Sequence, residues 1–132
     1  MRKKILVVDD EWAILELLRI KLMKQGFEVA TAQTEREFWT LAFKERPDLV
    51  ILDIWLGNQG VGTKVYDEVI RAGFDPSVPV IFISALLEEG TPPKRPLEGG
   101  RFALYGKPFD FDLLLEDIHR LTDHGQTAGN SE

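Results

Sequence analysis

Three times in this chain a short run of aliphatic and β-branched residues appears with almost no polar alternation: KILVVD at Lys4–Asp9, DLVILD at Asp48–Asp53 and VPVIFIS at Val78–Ser84. A strand with one wet face alternates apolar and polar residues, whereas an unbroken run is dry on both faces. In water-exposed domains that is the condition of a parallel sheet covered by helices on each side. The segments between the runs supply those helices. Glu11–Lys24 interleaves Trp12, Leu15, Leu18, Ile20 and Leu22 with Glu16, Arg19, Lys21 and Lys24, and Gly26 stops it. FEVATA, Phe27–Ala32, alternates like a strand. Thr34 then reads as an N-cap with Glu37 at the capping-box position, and Phe38, Leu41 and Ala42 follow at helical spacing before Pro47. Thr63–Ala72 is a short helix closed by Gly73, Phe102–Tyr105 a short fifth strand, and Asp110–Leu121 an amphipathic closing helix carrying Phe111, Leu114, Leu115, Ile118 and Leu121.

Strands alternating with helices mean an α/β fold with right-handed crossovers. The expected architecture is a doubly wound five-stranded parallel sheet of the flavodoxin-like order 2-1-3-4-5. One segment resists it. Between Ser84 and Phe102 the chain reads ALLEEGTPPKRPLEGG, where Pro92, Pro93 and Pro96 make a long helix implausible, so the fourth helix is expected to be short, irregular or replaced by a loop. The 132 residues suffice for one domain, read here as 1–124, and the polar DHGQTAGNSE suggests a disordered tail at 125–132.

Composition narrows the function. No apolar run approaches the roughly 20 residues that span a bilayer, and the lead MRKKILVVDD has too short an apolar stretch for a signal-peptide core. A cytoplasmic protein, free of membrane, is expected. With 0 cysteines, disulfides, thiolate catalysis and thiolate metal sites are excluded. The balance of 16 Lys and Arg against 22 Asp and Glu, a formal charge of −6, disfavours attraction to phosphate backbones, so direct nucleic-acid binding is not expected.

In an open parallel sheet, ligands bind beyond the carboxyl ends of the strands. Those ends carry Asp9 and Asp10 after the first strand, Asp53 after the third, Ser84 after the fourth and Lys107 just after the fifth. The run Asp9, Asp10, Glu11 raises the question of what offsets adjacent carboxylates, each of which makes its neighbour harder to ionise. Taken alone, an Asp pair after a strand serves as a turn or a helix N-cap. Three carboxylates, a hydroxyl and an ammonium on one rim suit instead a hard divalent cation, Mg²⁺ or Mn²⁺, which would neutralise the acids.

These residues resemble the response-regulator receiver domains of bacterial two-component signalling. ILVVDDE resembles the family's acidic-pocket signature, DLVILDIWL its phosphoacceptor strand, VPVIFISA the strand with the switch hydroxyl and YGKPFD its Lys-Pro motif, over about residues 3 to 123. The resemblance implies that Asp53 accepts a phosphoryl group, and that Asp9, Asp10, Asp53 and the Trp55 backbone carbonyl hold Mg²⁺. It further implies that Ser84 and Lys107 bind the phosphoryl oxygens. The implied partners are a sensor histidine kinase or phosphotransfer protein, or a small acyl phosphate as donor, and a downstream protein effector, with homodimerisation as one form of output. The implied role is a switch and not the turnover of a metabolite.

Several positions depart from the family pattern. Leu104 stands where an aromatic usually precedes the conserved lysine by three residues, and Tyr105, one residue later, points to the other face of the strand, either uncoupled from Ser84 or simply covering the core. GNQGVG replaces the usual Pro-Gly and Asp-Gly pairs after the phosphoacceptor. Leu86–Gly100 is expected to be mobile and to order on phosphorylation or partner binding. Bulky Trp55 and Leu86, two residues beyond Asp53 and Ser84, should hinder attacking water and prolong the phosphoryl group. Trp12 and Trp39 read as packing residues, His119 as a partly exposed helix residue, His124 as tail, and Lys94 and Arg95 as a solvated basic spot. Two rival readings stand beside the switch. An α/β enzyme or mononucleotide binder is disfavoured because acids replace a glycine-rich phosphate cradle. A degenerate receiver acting as a constitutive docking module is disfavoured by the intact acid, serine and lysine set.

Overall fold

The computed structural model describes residues 2–54, 62–84 and 102–130. Among them are five strands, β1 (Lys4–Val8), β2 (Glu28–Ala32), β3 (Leu49–Asp53), β4 (Val80–Ser84) and β5 (Phe102–Gly106), and four helices, α1 (Trp12–Lys24), α2 (Glu35–Glu45), α3 (Gly62–Arg71) and α4 (Phe111–Asn130). All the strand pairings are parallel, in the order β2-β1-β3-β4-β5. This is the architecture expected from the unbroken apolar runs. β3 is buried at every position and β1 at all but Lys4, as strands with both faces dry must be.

Period-two alternation divides the core. Ile5, Val7, Leu49, Ile51, Ile81 and Ile83 pack with Leu15, Leu18 and Leu22 of α1 and Leu114, Ile118 and Leu121 of α4. Their neighbours Leu6, Val8, Val50, Leu52 and Val80 pack on the opposite side with Phe38 and Ala42 of α2 and Val65 and Val69 of α3. The two faces are thus α1/α4 and α2/α3.

Helix ends follow local chemistry. α1 and α3 close by the same device: Gly26 N–H donates to Met23 O and Phe27 N–H to Leu22 O, just as Gly73 N–H donates to Ile70 O and Phe74 N–H to Val69 O. Both are Schellman motifs, and both need the left-handed backbone that Gly26 (φ 96°) and Gly73 (φ 111°) adopt. Each motif also folds an aromatic back against its helix, Phe27 onto the Leu22 core and Phe74 onto the Val69 core. At the start of α2 the Thr34 hydroxyl accepts the Glu37 N–H at 3.1 Å, as expected, while the Glu37 carboxylate reaches one residue further back and accepts from Gln33 N–H at 2.7 Å.

One reading of a helix face needs correction. Trp12, read as a packing residue, is 64% exposed, and Ile20 on the same helix is 47% exposed. The cause is that α1, WAILELLRIKLMK, is apolar on nearly every side, so periodicity alone does not choose the face that Leu15, Leu18 and Leu22 bury. Trp39 does pack partly against the α2/α3 core. α4 continues to Asn130, past Leu121 where its apolar pattern ends. Residues 85–101, with the expected fourth helix, Lys94 and Arg95, and residues 55–61 after β3 lie outside the described residues.

Candidate functional site

The register brings the strand ends level. Val8 lies opposite Leu52, Asp53 opposite Ile83 and Ser84 opposite Gly106. Just beyond, the Asp9 N–H donates to Ala32 O at 3.1 Å and the Lys107 N–H to Ser84 O at 3.0 Å, so both backbones extend the sheet's hydrogen bonding. Asp9, Asp53 and Ser84 are 2%, 3% and 3% exposed, and Asp10 is open to solvent. By strand alternation Asp53 belongs with Ile51 to the α1/α4 face, and Ser84 with Phe82 to the α2/α3 face, so the two approach the rim from opposite sides of the sheet.

Lys107 gathers the acids. Its Nζ lies 2.8 Å from Asp9 Oδ2, 2.9 Å from Glu11 Oε1 and 3.2 Å from Asp53 Oδ2. Burial alone would pull the ammonium down, but its contacts with Asp9 and Glu11 and the charge of Asp53 outweigh that and hold Lys107 above the usual lysine range. Asp9 shows the opposite balance. Burial pushes its carboxyl up to about 6, helped by the repulsion of Asp53 and resisted by Lys107 and the Glu11 N–H. Sequence reasoning placed Glu11 in the acidic run without assigning it a partner. The third consecutive acid was the only local signal, because the residue it meets is 96 positions away.

A cation fits this rim. Asp9, Asp10 and Asp53 each offer a carboxylate oxygen within 4.8 Å of the others. Asp9 Oδ1 accepts the Glu11 N–H at 2.9 Å, but Asp9 Oδ2, although in ionic contact with Lys107, receives no hydrogen bond and is buried. A buried carboxylate lone pair without a donor, beside two further carboxylates, is the donor set of a small hard cation such as Mg²⁺ or Mn²⁺. Trp55 and Leu86 lie outside the described residues.

Tyr105 is 2% exposed, on the face of Ile83 and opposite that of Ser84. Its hydroxyl lies 2.5 Å from Asp117 Oδ2 and 2.9 Å from Leu113 O, tying β5 to α4. Tyr105 therefore covers the core and also tethers it. Leu104's side chain lies outside the described atoms. Beside the rim, Ile14, Leu17, Lys107, Pro108, Phe109 and Phe111 line a cleft of about 320 Å³. His119 is remote, with its ring 5.5 Å from Phe27 and its Nδ1 3.8 Å from Asp123. Among the described residues no helix is long and apolar enough to cross a membrane.

Residues 5–119 match the family described as the response regulator receiver domain. Among curated relatives, sporulation initiation phosphotransferase F of Bacillus subtilis is 32% identical over 91% of this chain and 94% of its own length. The alkaline phosphatase synthesis transcriptional regulatory protein PhoP of Bacillus subtilis is 48% identical over 42% of this chain, which corresponds to only 23% of that regulator. A solved structure of a CheY-like response regulator receiver domain protein from Methanospirillum hungatei superposes with a TM-score of 0.77 at 26% identity, covering 97% of this chain and 99% of the other.

Proposed function

The chain belongs to the response regulator receiver domain family of two-component signalling, and on that premise we propose that it is a phosphorylation-dependent switch with Asp53 as phosphoacceptor. It is a signalling domain and not an enzyme that turns over a metabolite. The observation that carries the reading is the placement of a buried carboxylate, Asp53, at a strand end with the Lys107 ammonium 3.2 Å away and Asp9 and Asp10 beside it. Phosphoryl transfer asks a protein for little else: an in-line nucleophile and positive charge around the equatorial oxygens.

In the proposed step an Asp53 oxygen forms a bond to phosphorus while the bond to the donor breaks. The donor is a phosphohistidine of a histidine kinase or phosphotransfer protein, or a small acyl phosphate, and its imidazole nitrogen or carboxylate oxygen leaves with the electron pair. Lys107 neutralises the transferred oxygens and Ser84 donates its hydroxyl to one of them. A Mg²⁺ or Mn²⁺ held by Asp9, Asp10 and Asp53, with the Trp55 carbonyl as the further ligand implied by the family, would supply the remaining charge neutralisation. The product carries roughly −1.5 to −2 of added charge. Because the Lys107 N–H is bonded to Ser84 O, a shift of either group is felt along β4 and β5, and from there by an effector protein.

A protein donor has to cover the ground beside Asp53. The surface of α1 exposes Trp12, directly after Glu11 at the rim, and further along the helix Leu17 and Ile20. We read that surface as the donor's footing, met in the cytoplasm. The relative that spans nearly the whole chain is named a phosphotransferase, which agrees with such an exchange. The test is intact mass after incubation with Mg²⁺ and an acyl phosphate. The wild type should gain one phosphoryl mass and the Asp53→Asn variant none. Failure of both would leave the constitutive docking module as the better reading.

A further inference from the structure

We infer that Glu11 is a positioning residue that withholds Lys107 from the phosphoryl group and so brakes phosphorylation, an inference that rests on the reading of Asp53 as phosphoacceptor. A lysine ammonium has three N–H donors and no more. Among the described residues Nζ of Lys107 is within 3.2 Å of three carboxylates, those of Asp9, Glu11 and Asp53, and the Asp53 contact is the longest of them. Two of the donors are hydrogen-bonded, to Glu11 Oε1 at 2.9 Å and to Asp53 Oδ2 at 3.2 Å, while Asp9 Oδ2 holds the ammonium in ionic contact at 2.8 Å, so all three acids lay claim to it before any phosphoryl oxygen arrives.

Glu11 differs from the other two claimants. The Asp9 and Asp53 side chains are 2% and 4% exposed, whereas that of Glu11 is 59% exposed. Only Glu11 can exchange the ammonium for water without stranding a buried charge. Its place in the chain adds a second argument. Glu11 is the N-cap residue of α1, yet its side chain caps no helix N–H, and the first turn of α1 holds no acid. A carboxylate there is favoured by the free N–H groups and the positive end of the helix dipole. Glu11 forgoes that position and points its carboxylate at Lys107.

As the phosphoryl group approaches, two effects act in one direction. Glu11 retains a share of the ammonium that the equatorial oxygens need, and its own negative charge repels them. Swinging to water or to the helix end removes both. Because the Glu11 side of the pair is open to solvent its grip is weak, so the brake is modest, about two- to five-fold in rate.

The experiment compares wild type with Glu11→Gln and Glu11→Ala at saturating Mg²⁺, following phosphorylation by an acyl phosphate through intact mass. Half-saturating Mg²⁺ and the urea midpoint are measured on the same proteins. The expected result is a maximal rate raised about two- to five-fold in both variants, with the Mg²⁺ midpoint changed by less than about two-fold. Damage to the fold slows a reaction, so acceleration at an unchanged urea midpoint separates positioning from a structural role. Phosphorylation of the variants no faster than of the wild type overturns the brake and leaves Asp53 as acceptor. A wild type that gains no phosphoryl group overturns the acceptor reading and the brake together.

Discussion

Asp9 concentrates the conflict of the site in one residue. It is buried, shares Lys107 with two other acids and keeps one oxygen without a hydrogen-bond donor. Its folded carboxyl titrates at about 6 against 3.8 for the free group. Since the folded value is the higher, the protonated form favours the fold: that stabilisation is complete below about pH 4 and is lost as pH rises through 6. Metal-free protein should therefore lose stability across that window, and Asp9→Asn should flatten the profile and raise stability at pH 7.5 by on the order of 1–3 kcal/mol, read from urea midpoints. Adding Mg²⁺ should stabilise the wild type and do little for the variant, because the cation supplies what Asp9 lacks. A variant less stable than wild type at pH 7.5 without metal would contradict this account of the acid cluster.

At the scale of elements, β5 and α4 are joined by more than apolar packing. The Tyr105 hydroxyl spans from the sheet to Asp117, which is 2% exposed and also accepts from Arg120 Nε at 3.1 Å. Tyr105→Phe keeps the ring and deletes a hydrogen bond to a buried carboxylate. It should cost about 1–3 kcal/mol in unfolding free energy without abolishing phosphorylation of Asp53. Much of this scale was legible in the sequence. The unbroken runs ILVV and LVIL fixed which segments are central strands, and Gly26 and Gly73 stopped helices where a left-handed residue was needed. The exposed side of α1 was not legible, because a helix apolar on nearly every side carries little periodic signal. Tyr105 was left between two readings because its partner lies nearly two helix turns into α4, and nothing in YGKPFD points there. The Glu11–Lys107 contact was invisible for the same reason at greater distance.

At the scale of the whole molecule, the carboxyl ends of the strands carry the chemistry and α1 exposes Trp12 beside them. Trp12→Ala should slow transfer from any histidine-kinase donor that phosphorylates the wild type by about ten-fold or more, the cost of removing a large interface aromatic. The rate with an acyl phosphate should stay within about two-fold, since that donor touches no such surface. Equal losses with both donors would place Trp12 in the chemistry and not in recognition. The level strand ends have one more consequence. Asp9, Asp53, Ser84 and Lys107 are all fixed by backbone pairing, so their geometry is inherited from the sheet. Helix surfaces and connecting segments are then free to drift. Descendants of such a chain can change whom they listen to and whom they inform while leaving the reaction itself untouched, so that wiring evolves separately from chemistry.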